Sequence, residues 1–234
     1  MEDGSMTDSG KSAGRMGAGS DWLRELAEAP LIAVLRAREA SEYAPVIEAL
    51  LASGVRHVEV TLSTAGVLRA LPDLVRQYGA DARIGVGTVT DPGQAQSLIA
   101  AGAGFLVTPV MDTDVVAAAA AAGVPVVPGG LTPSELYAGW RAGATAVKVF
   151  PASVVGPGYL SQLRGPFPDL AVIPSGGIAV EDAEAWLRAG AAGVGMGGPL
   201  LQDAFDGGSL TGLQERTRKL VHALAAAGSR EGRP

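Results

Sequence analysis

Cysteine is absent from this 234-residue chain, and there are only two histidines. No disulfide framework and no thiolate metal site is therefore possible. His57 and His222 fall in separate predicted elements, a strand and the last helix, so no His/carboxylate cluster for zinc chemistry is expected, and no cofactor. Clustered Lys and Arg are missing too, and the formal charge is −6; nucleic acid is excluded as a partner because phosphate binding needs a basic face. No apolar run reaches the roughly 18 residues of a membrane span. The first twenty residues have no apolar core, so they do not read as a secretory signal. Rich in Gly, Ser and Asp, residues 1–20 read as a disordered tail, a tag remnant or an upstream start, with Met6 and Met16 as rival initiators. A single domain is expected over 21–234, with no membrane partner and a cytoplasmic location.

What the chain has in abundance is alternation. A short helix over Trp22 to Ala29 leads to an apolar strand, Leu31 to Arg36. Seven further brief apolar stretches follow: Val55–Leu62, Arg83–Val89, Phe105–Pro109, Val124–Pro128, Ala144–Phe150, Ala171–Pro174 and Ala192–Met196. Segments of helical period separate them, and Leu210 to Ala226 closes the chain. Strands interleaved with helices predict parallel pairing through right-handed crossovers. Eight of them favour an α/β fold closed into a (β/α)8 TIM barrel. A weak repeat agrees: a small residue then glycine ends a helix at Ser53-Gly54, Ala101-Gly102, Ala122-Gly123, Ala142-Gly143 and Ala189-Gly190.

One strand carries a charge where none belongs. In Ala146-Val147-Lys148-Val149-Phe150, period-two alternation sets Lys148 on the face shared by Ala146 and Phe150, opposite Val147 and Val149. Burial disfavours the ammonium and leaves an amine able to attack a ketone. The alternatives are a head that snorkels to the strand end and a pairing with a buried carboxylate. In His57-Val58-Glu59-Val60-Thr61 the same alternation puts Glu59 inside with His57 and Thr61. Glu59 is thus either a proton shuttle beside Lys148 or its ion-pair partner. Glycine-rich strand ends at Gly85–Gly87, Gly129-Gly130, Gly176-Gly177 and Gly197-Gly198 would clear the barrel rim and expose N–H groups. Pro199 suits the first turn of a short helix facing an anion.

Together, Glu59-Val60-Thr61-Leu62, Gly85-Val86-Gly87-Thr88-Val89, Lys148-Val149-Phe150-Pro151-Ala152 and Ser175-Gly176-Gly177-Ile178 resemble the 2-keto-3-deoxy-6-phosphogluconate aldolase family. Leu31–Arg36 and Gly156-Pro157-Gly158-Tyr159-Leu160 are more similar to its 2-keto-3-deoxy-6-phosphogalactonate branch. The resemblance implies a metal-free class I aldolase on a trimeric barrel, acting on a small keto acid. It makes Lys148 the Schiff-base lysine and Glu59 the general acid/base. Thr88 and Pro109 would meet the pyruvyl part of the substrate, with Phe150 and Ser175 beside them in the matching motifs. Gly176, Gly177 and Gly198 would offer N–H groups to a phosphate. Two departures stand out. Leu62-Ser63-Thr64 replaces the Leu-Arg-Thr of many members, and Gly198-Pro199 replaces a serine-bearing loop. Arg36 is the candidate for the missing positive charge; its alternative is a surface salt bridge. Gluconate-derived, galactonate-derived and unphosphorylated 4-hydroxy-2-oxoglutarate-type substrates all remain open, as does a barrel that binds a sugar phosphate without turnover.

Overall fold

The computed structural model of the protein describes residues 17–229. The chain starts earlier than expected: helix α1 (Ala18–Glu28) takes in residues assigned to the tail. Its apolar stripe extends the fold backwards, with Trp22 and Leu26 wholly buried. Residues 1–16, the rest of that expected tail, lie outside the described residues.

Nine parallel strand segments follow: β1 (Leu31–Leu35), β2 (His57–Thr61), β3 (Arg83–Gly87), β4 (Leu106–Val107), β5 (Val126–Val127), β6 (Gly129–Gly130), β7 (Val147–Val149), β8 (Val172–Pro174) and β9 (Val194–Met196). Between them run α2 (Tyr43–Leu51), α3 (Val67–Tyr78), α4 (Pro92–Ala100), α5 (Thr113–Ala121), α6 (Pro133–Arg141), α7 (Gly158–Arg164), α8 (Ala183–Arg188) and α9 (Gly198–Leu201), and α10 (Leu210–Ser229) comes last. The expected fifth strand is cut in two because Pro128 has no N–H to give the ladder. Its carbonyl still accepts from the Lys148 N–H at 2.8 Å, so β5 and β6 remain one stave of the barrel.

The staves close into a ring. Pairing runs β5-β4-β3-β2-β1-β9 on one side and β6-β7-β8 on the other. A parallel bridge from Ser175 to Gly195 and a bond from Ala192 N–H to the Val172 carbonyl (2.8 Å) join β8 to β9. The result is the eight-stave barrel that the alternation predicted. The five repeat glycines, Gly54, Gly102, Gly123, Gly143 and Gly190, all have positive φ (69 to 103°), the left-handed conformation that turns each helix into the next strand.

Alternation along the strands divides the core in two. Val58, Val60, Val147 and Val149 belong to the layer under the helices. Ile32, Phe105, Val107, Val127, Ala146 and Ile173 fill the lumen together with Trp22 and Leu26 of α1. Trp22 packs 5.2 Å from the Phe105 ring and 6.0 Å, edge-on, from His57, so α1 plugs the end where the strands begin. A side chain at Gly85 would strike the Phe105 ring at 2.5 Å. This dry floor leaves the opposite end, where the strands finish, as the open one.

Candidate active site

Lys148 lies in the lumen, at the level of Gly129 on one side and Ile173 on the other. It is 8 % exposed, and its Nζ sits 4.8 Å from the Phe150 ring centroid. That ring is 37 % exposed and rests on Gly176, whose Cβ would come within 2.8 Å of it. A salt bridge does not account for Lys148, because the ion pairs of the described residues do not include it.

Glu59 enters from β2, level with Val34 of β1 and Gly85 of β3. It is 3 % exposed. Burial is the largest influence on its carboxyl and pushes the pKa up; Lys148 first, then Arg36, pull it back. The two lumen charges therefore feel each other without an ion pair, and among the described residues neither side chain makes a hydrogen bond. The ion-pair alternative is not realised. Space for the carboxyl comes from Gly87, where a Cβ would overlap Glu59 Oε1 and stand 2.5 Å from Cδ.

The remaining predicted residues ring the same opening. Thr88, just past β3, is half-buried at φ 63°. For a β-branched residue this left-handed conformation costs on the order of 1–3 kcal/mol, a strain that tends to gather at functional sites. Pro109 is half-buried at the end of stave four, its carbonyl 2.5 Å from where a Gly129 Cβ would be. Ser175 is 7 % exposed, and Gly195 gives it room: a Cβ there would be 2.9 Å from Ser175 Oγ. Gly176 and Gly177 take φ values of 92 and 72°. Gly198 opens the single turn of α9, with Pro199 beside it as expected. Among the described residues the N–H groups of these three glycines have no hydrogen-bond acceptor.

Arg36 is exposed just beyond β1 and has no ion-pair partner among the described residues, so the surface salt bridge is also not realised. Ser63, in the place of the missing arginine, has its Oγ 3.0 Å from Thr61 Oγ1. Sequence reasoning passed over Thr108, which is wholly buried; its Oγ1 accepts from the Gly129 N–H at 3.1 Å and donates to the Val110 carbonyl, tying staves four and five. It also assigned nothing to Thr64, which is 2 % exposed and binds Ala37. A threonine at a strand end carries no signal of this kind until its partner is known.

His57 lies at the closed end, 1 % exposed, and neither ring nitrogen has a hydrogen-bond partner among the described residues. Burial lowers its pKa to about 4. A cleft of about 760 Å³ lined by Glu25, Arg56, His57 and Arg83 opens at that same end, away from Lys148. Chemistry in such barrels sits where the strands finish, and we assign the site there. Among the described residues no three His, Asp or Glu side chains gather as a metal site.

A closed parallel barrel holding a buried lysine and a buried glutamate at its open end has the build of a Schiff-base lyase. A family model described as "KDPG and KHG aldolase" matches residues 23–208, and the chain belongs to that aldolase family. It is 37 % identical over 180 residues, 76 % of this chain and 86 % of the relative, to the 2-dehydro-3-deoxy-6-phosphogalactonate aldolase of Escherichia coli (strain K12). It is 35 % identical over 161 residues, 68 % of this chain and 73 % of the relative, to the 2-dehydro-3-deoxy-phosphogluconate aldolase of Pseudomonas aeruginosa. Among solved structures, a native KDPGal structure superposes with a TM-score of 0.75 at 35 % identity, covering 85 % of this chain and 93 % of that one. The KDPG aldolase from Legionella pneumophila, with pyruvate captured as a covalent carbinolamine, gives 0.78 at 31 % identity, covering 88 % and 98 %. The protein is therefore an aldolase, a carbon–carbon lyase.

Proposed function

We propose that this aldolase cleaves a 2-keto-3-deoxy-6-phospho sugar acid to pyruvate and a phosphorylated aldehyde, with Lys148 as nucleophile and Glu59 as general acid/base. The observation that carries this reading is the pair itself: two ionisable side chains, 8 % and 3 % exposed, in one lumen with no ion pair among the described residues. Buried charges are ordinarily paired, and unpaired ones mark functional sites. As the free amine, Lys148 adds to the C2 ketone, giving a carbinolamine, and loss of water gives a protonated imine. Glu59, directly or through water, takes the C4 hydroxyl proton. The C3–C4 bond breaks, its electron pair moves into the imine as an enamine, and the aldehyde leaves. Glu59 then returns the proton to C3, and water hydrolyses the imine to release pyruvate.

Around this step, Thr88, Pro109, Phe150 and Ser175 would enclose the pyruvyl group. The free N–H groups of Gly176, Gly177 and Gly198 suit a terminal phosphate. Arg36, unpaired and close enough for its charge to reach Glu59, suits an anionic group of the substrate. Both C4 epimers fit this scheme, and the galactonate-type acid is favoured by the name of the Escherichia coli relative. We read residues 17 onward as one catalytic domain. A homotrimer is our further proposal, supported by a cage made by fusing symmetric oligomeric domains that superposes with a TM-score of 0.80 at 33 % identity, covering 87 % of this chain and 74 % of that one. No described helix is long and apolar enough to cross a membrane; we propose a cytoplasmic setting. Borohydride with pyruvate is expected to fix a three-carbon adduct on Lys148, and Lys148→Ala to abolish it. An intact protein that traps no adduct would refute the assignment.

A further inference from the structure

The loop that carries Arg36 is held partly by its own Glu42, whose carboxylate accepts from the Arg38 and Glu39 N–H groups, and next to Arg36 itself by a neighbouring segment. Thr64 Oγ1 accepts from the Ala37 N–H at 3.0 Å and donates to the Ala37 carbonyl at 3.1 Å, so one hydroxyl takes up both polar groups of the residue next to Arg36. Immediately beyond, the Ala65 N–H donates to the Arg38 carbonyl (3.1 Å) and the Ala40 N–H to the Ala65 carbonyl (2.9 Å). Glu39 and Ala65 form a parallel bridge. On the other side of Arg36, Leu35 is wholly buried in β1, under the hydroxyl of the buried Tyr43, which reaches the Leu35 carbonyl at 3.5 Å. Arg36 is thus fixed at both flanks while its own guanidinium is exposed and has no ion-pair partner among the described residues. A backbone so tightly tied beneath a free cation is pre-organised to receive an anion, since ordering a loop on binding would weaken affinity.

We infer that Thr64 is a positioning residue: through its paired bonds to Ala37 it holds Arg36 at the barrel mouth, where the guanidinium receives an anionic group of the substrate. This rests on the Lys148 and Arg36 assignments above. Thr64 is 2 % exposed, and its hydroxyl is engaged by Ala37 rather than by Lys148 or Glu59. Its role is distinct from that of Ser63, which faces solvent and bonds to Thr61.

The test is a double-mutant cycle on the full chain. Thr64→Val keeps the shape and removes the hydroxyl; Thr64→Ser keeps the hydroxyl. Thr64→Cys, of similar size and with far weaker hydrogen bonding, replaces Thr64→Val if that variant fails to fold. Turnover is followed with 2-keto-3-deoxy-6-phosphogluconate and its galactonate epimer, and imine formation with pyruvate, which has a carboxylate but no phosphate. Thr64→Val is expected to raise KM about 10- to 100-fold, the scale of an ångström of misplacement, with kcat changed by less than about threefold. Thr64→Ser should restore KM. Arg36→Ala should raise KM similarly, and adding Thr64→Val to it should cost nothing further, because the residue being positioned is gone. A rise in half-saturation for pyruvate identifies the carboxylate as the anion held; a rise for the phosphorylated acids alone identifies the phosphate. If the two substitutions add in full, or Thr64→Val leaves KM unchanged, the positioning role is overturned while the site assignment stands. If Arg36→Ala itself changes no half-saturation value, the Arg36 assignment falls and takes this inference with it.

Discussion

Gly87→Ala isolates the placement of the Glu59 carboxyl from its chemistry. Gly87 ends β3 with its α-hydrogen toward the lumen, and an added Cβ would overlap Glu59 Oε1 and lie 2.5 Å from Cδ and 2.9 Å from Cγ. Ordinary contacts between carbons are about 3.5–4.0 Å, so the carboxyl must withdraw by roughly 1–1.5 Å. The strand itself has no reason to move, because the obstructing atoms are the far end of a flexible side chain. Misplacement of about 1 Å can cost roughly 10²-fold in rate. Full loss of general acid–base help costs about 10²–10⁴-fold. A kcat lowered by about 100-fold, below the loss caused by Glu59→Gln, is therefore expected. Stability should fall by no more than about 2.5 kcal/mol, since overpacking costs about 1–3 kcal/mol and replacing a strand glycine by alanine returns about 0.5–1 kcal/mol. The assay is steady-state cleavage beside borohydride trapping of pyruvate. Trapping should persist, since Lys148 is untouched. A folded Gly87→Ala enzyme with unchanged kcat would refute the reasoning, and loss of trapping together with turnover would show that the lumen, not the carboxyl, had been disturbed.

Three other outcomes follow from the electrostatics and the donor set. Burial raises the Glu59 pKa above its ordinary 4.5; a carboxyl with a raised folded pKa favours the fold below its unfolded value and loses that contribution as pH rises through the folded one. Glu59→Gln is thus expected to match the wild type below the ordinary carboxylate range and to melt increasingly above it as the pH is raised; a difference in Tm that does not change with pH would contradict this. His57 runs the other way. With its pKa lowered from 6.5 to about 4, its stabilising contribution is present above 6.5 and is lost as pH falls toward 4, by roughly 3 kcal/mol in all. Urea unfolding of His57→Leu should show a shallower loss over that interval, and an unchanged slope would exclude His57 as the source. Finally, EDTA is expected to leave turnover intact, because no metal-holding cluster occurs among the described residues; chelator-sensitive turnover would point to another class of mechanism.

Some of this architecture was open to reading one residue at a time. Alternating side-chain direction is a local property of any strand, so the inward face of Lys148 and Glu59 followed from the apolar residues flanking each. The five glycines that end helices were likewise visible, because a left-handed turn needs glycine whatever lies around it. Pro199 in the first turn of α9 had the same kind of local signature. Even the divided fifth stave is intelligible from Pro128 once its neighbours are known. By contrast, the start of α1 at Ala18 was missed because residues 18–20 carry no apolar stripe of their own; they are helical as the first turn of a helix whose Trp22 and Leu26 plug the barrel.

The sequence by itself thus determined the alternation, the barrel class and the two inward ionisable residues, since each depends on neighbours a few positions away. Tertiary structure alone decided that the amine and the carboxyl stand apart without an ion pair and that Gly87 clears the space for Glu59. It also decided that Thr88 is held at a positive φ and that Arg36, without an ion-pair partner among the described residues, sits on a loop pinned by Thr64. These are distances and vacancies between segments tens of residues apart. They are set by ring closure and strand register, which no local pattern encodes.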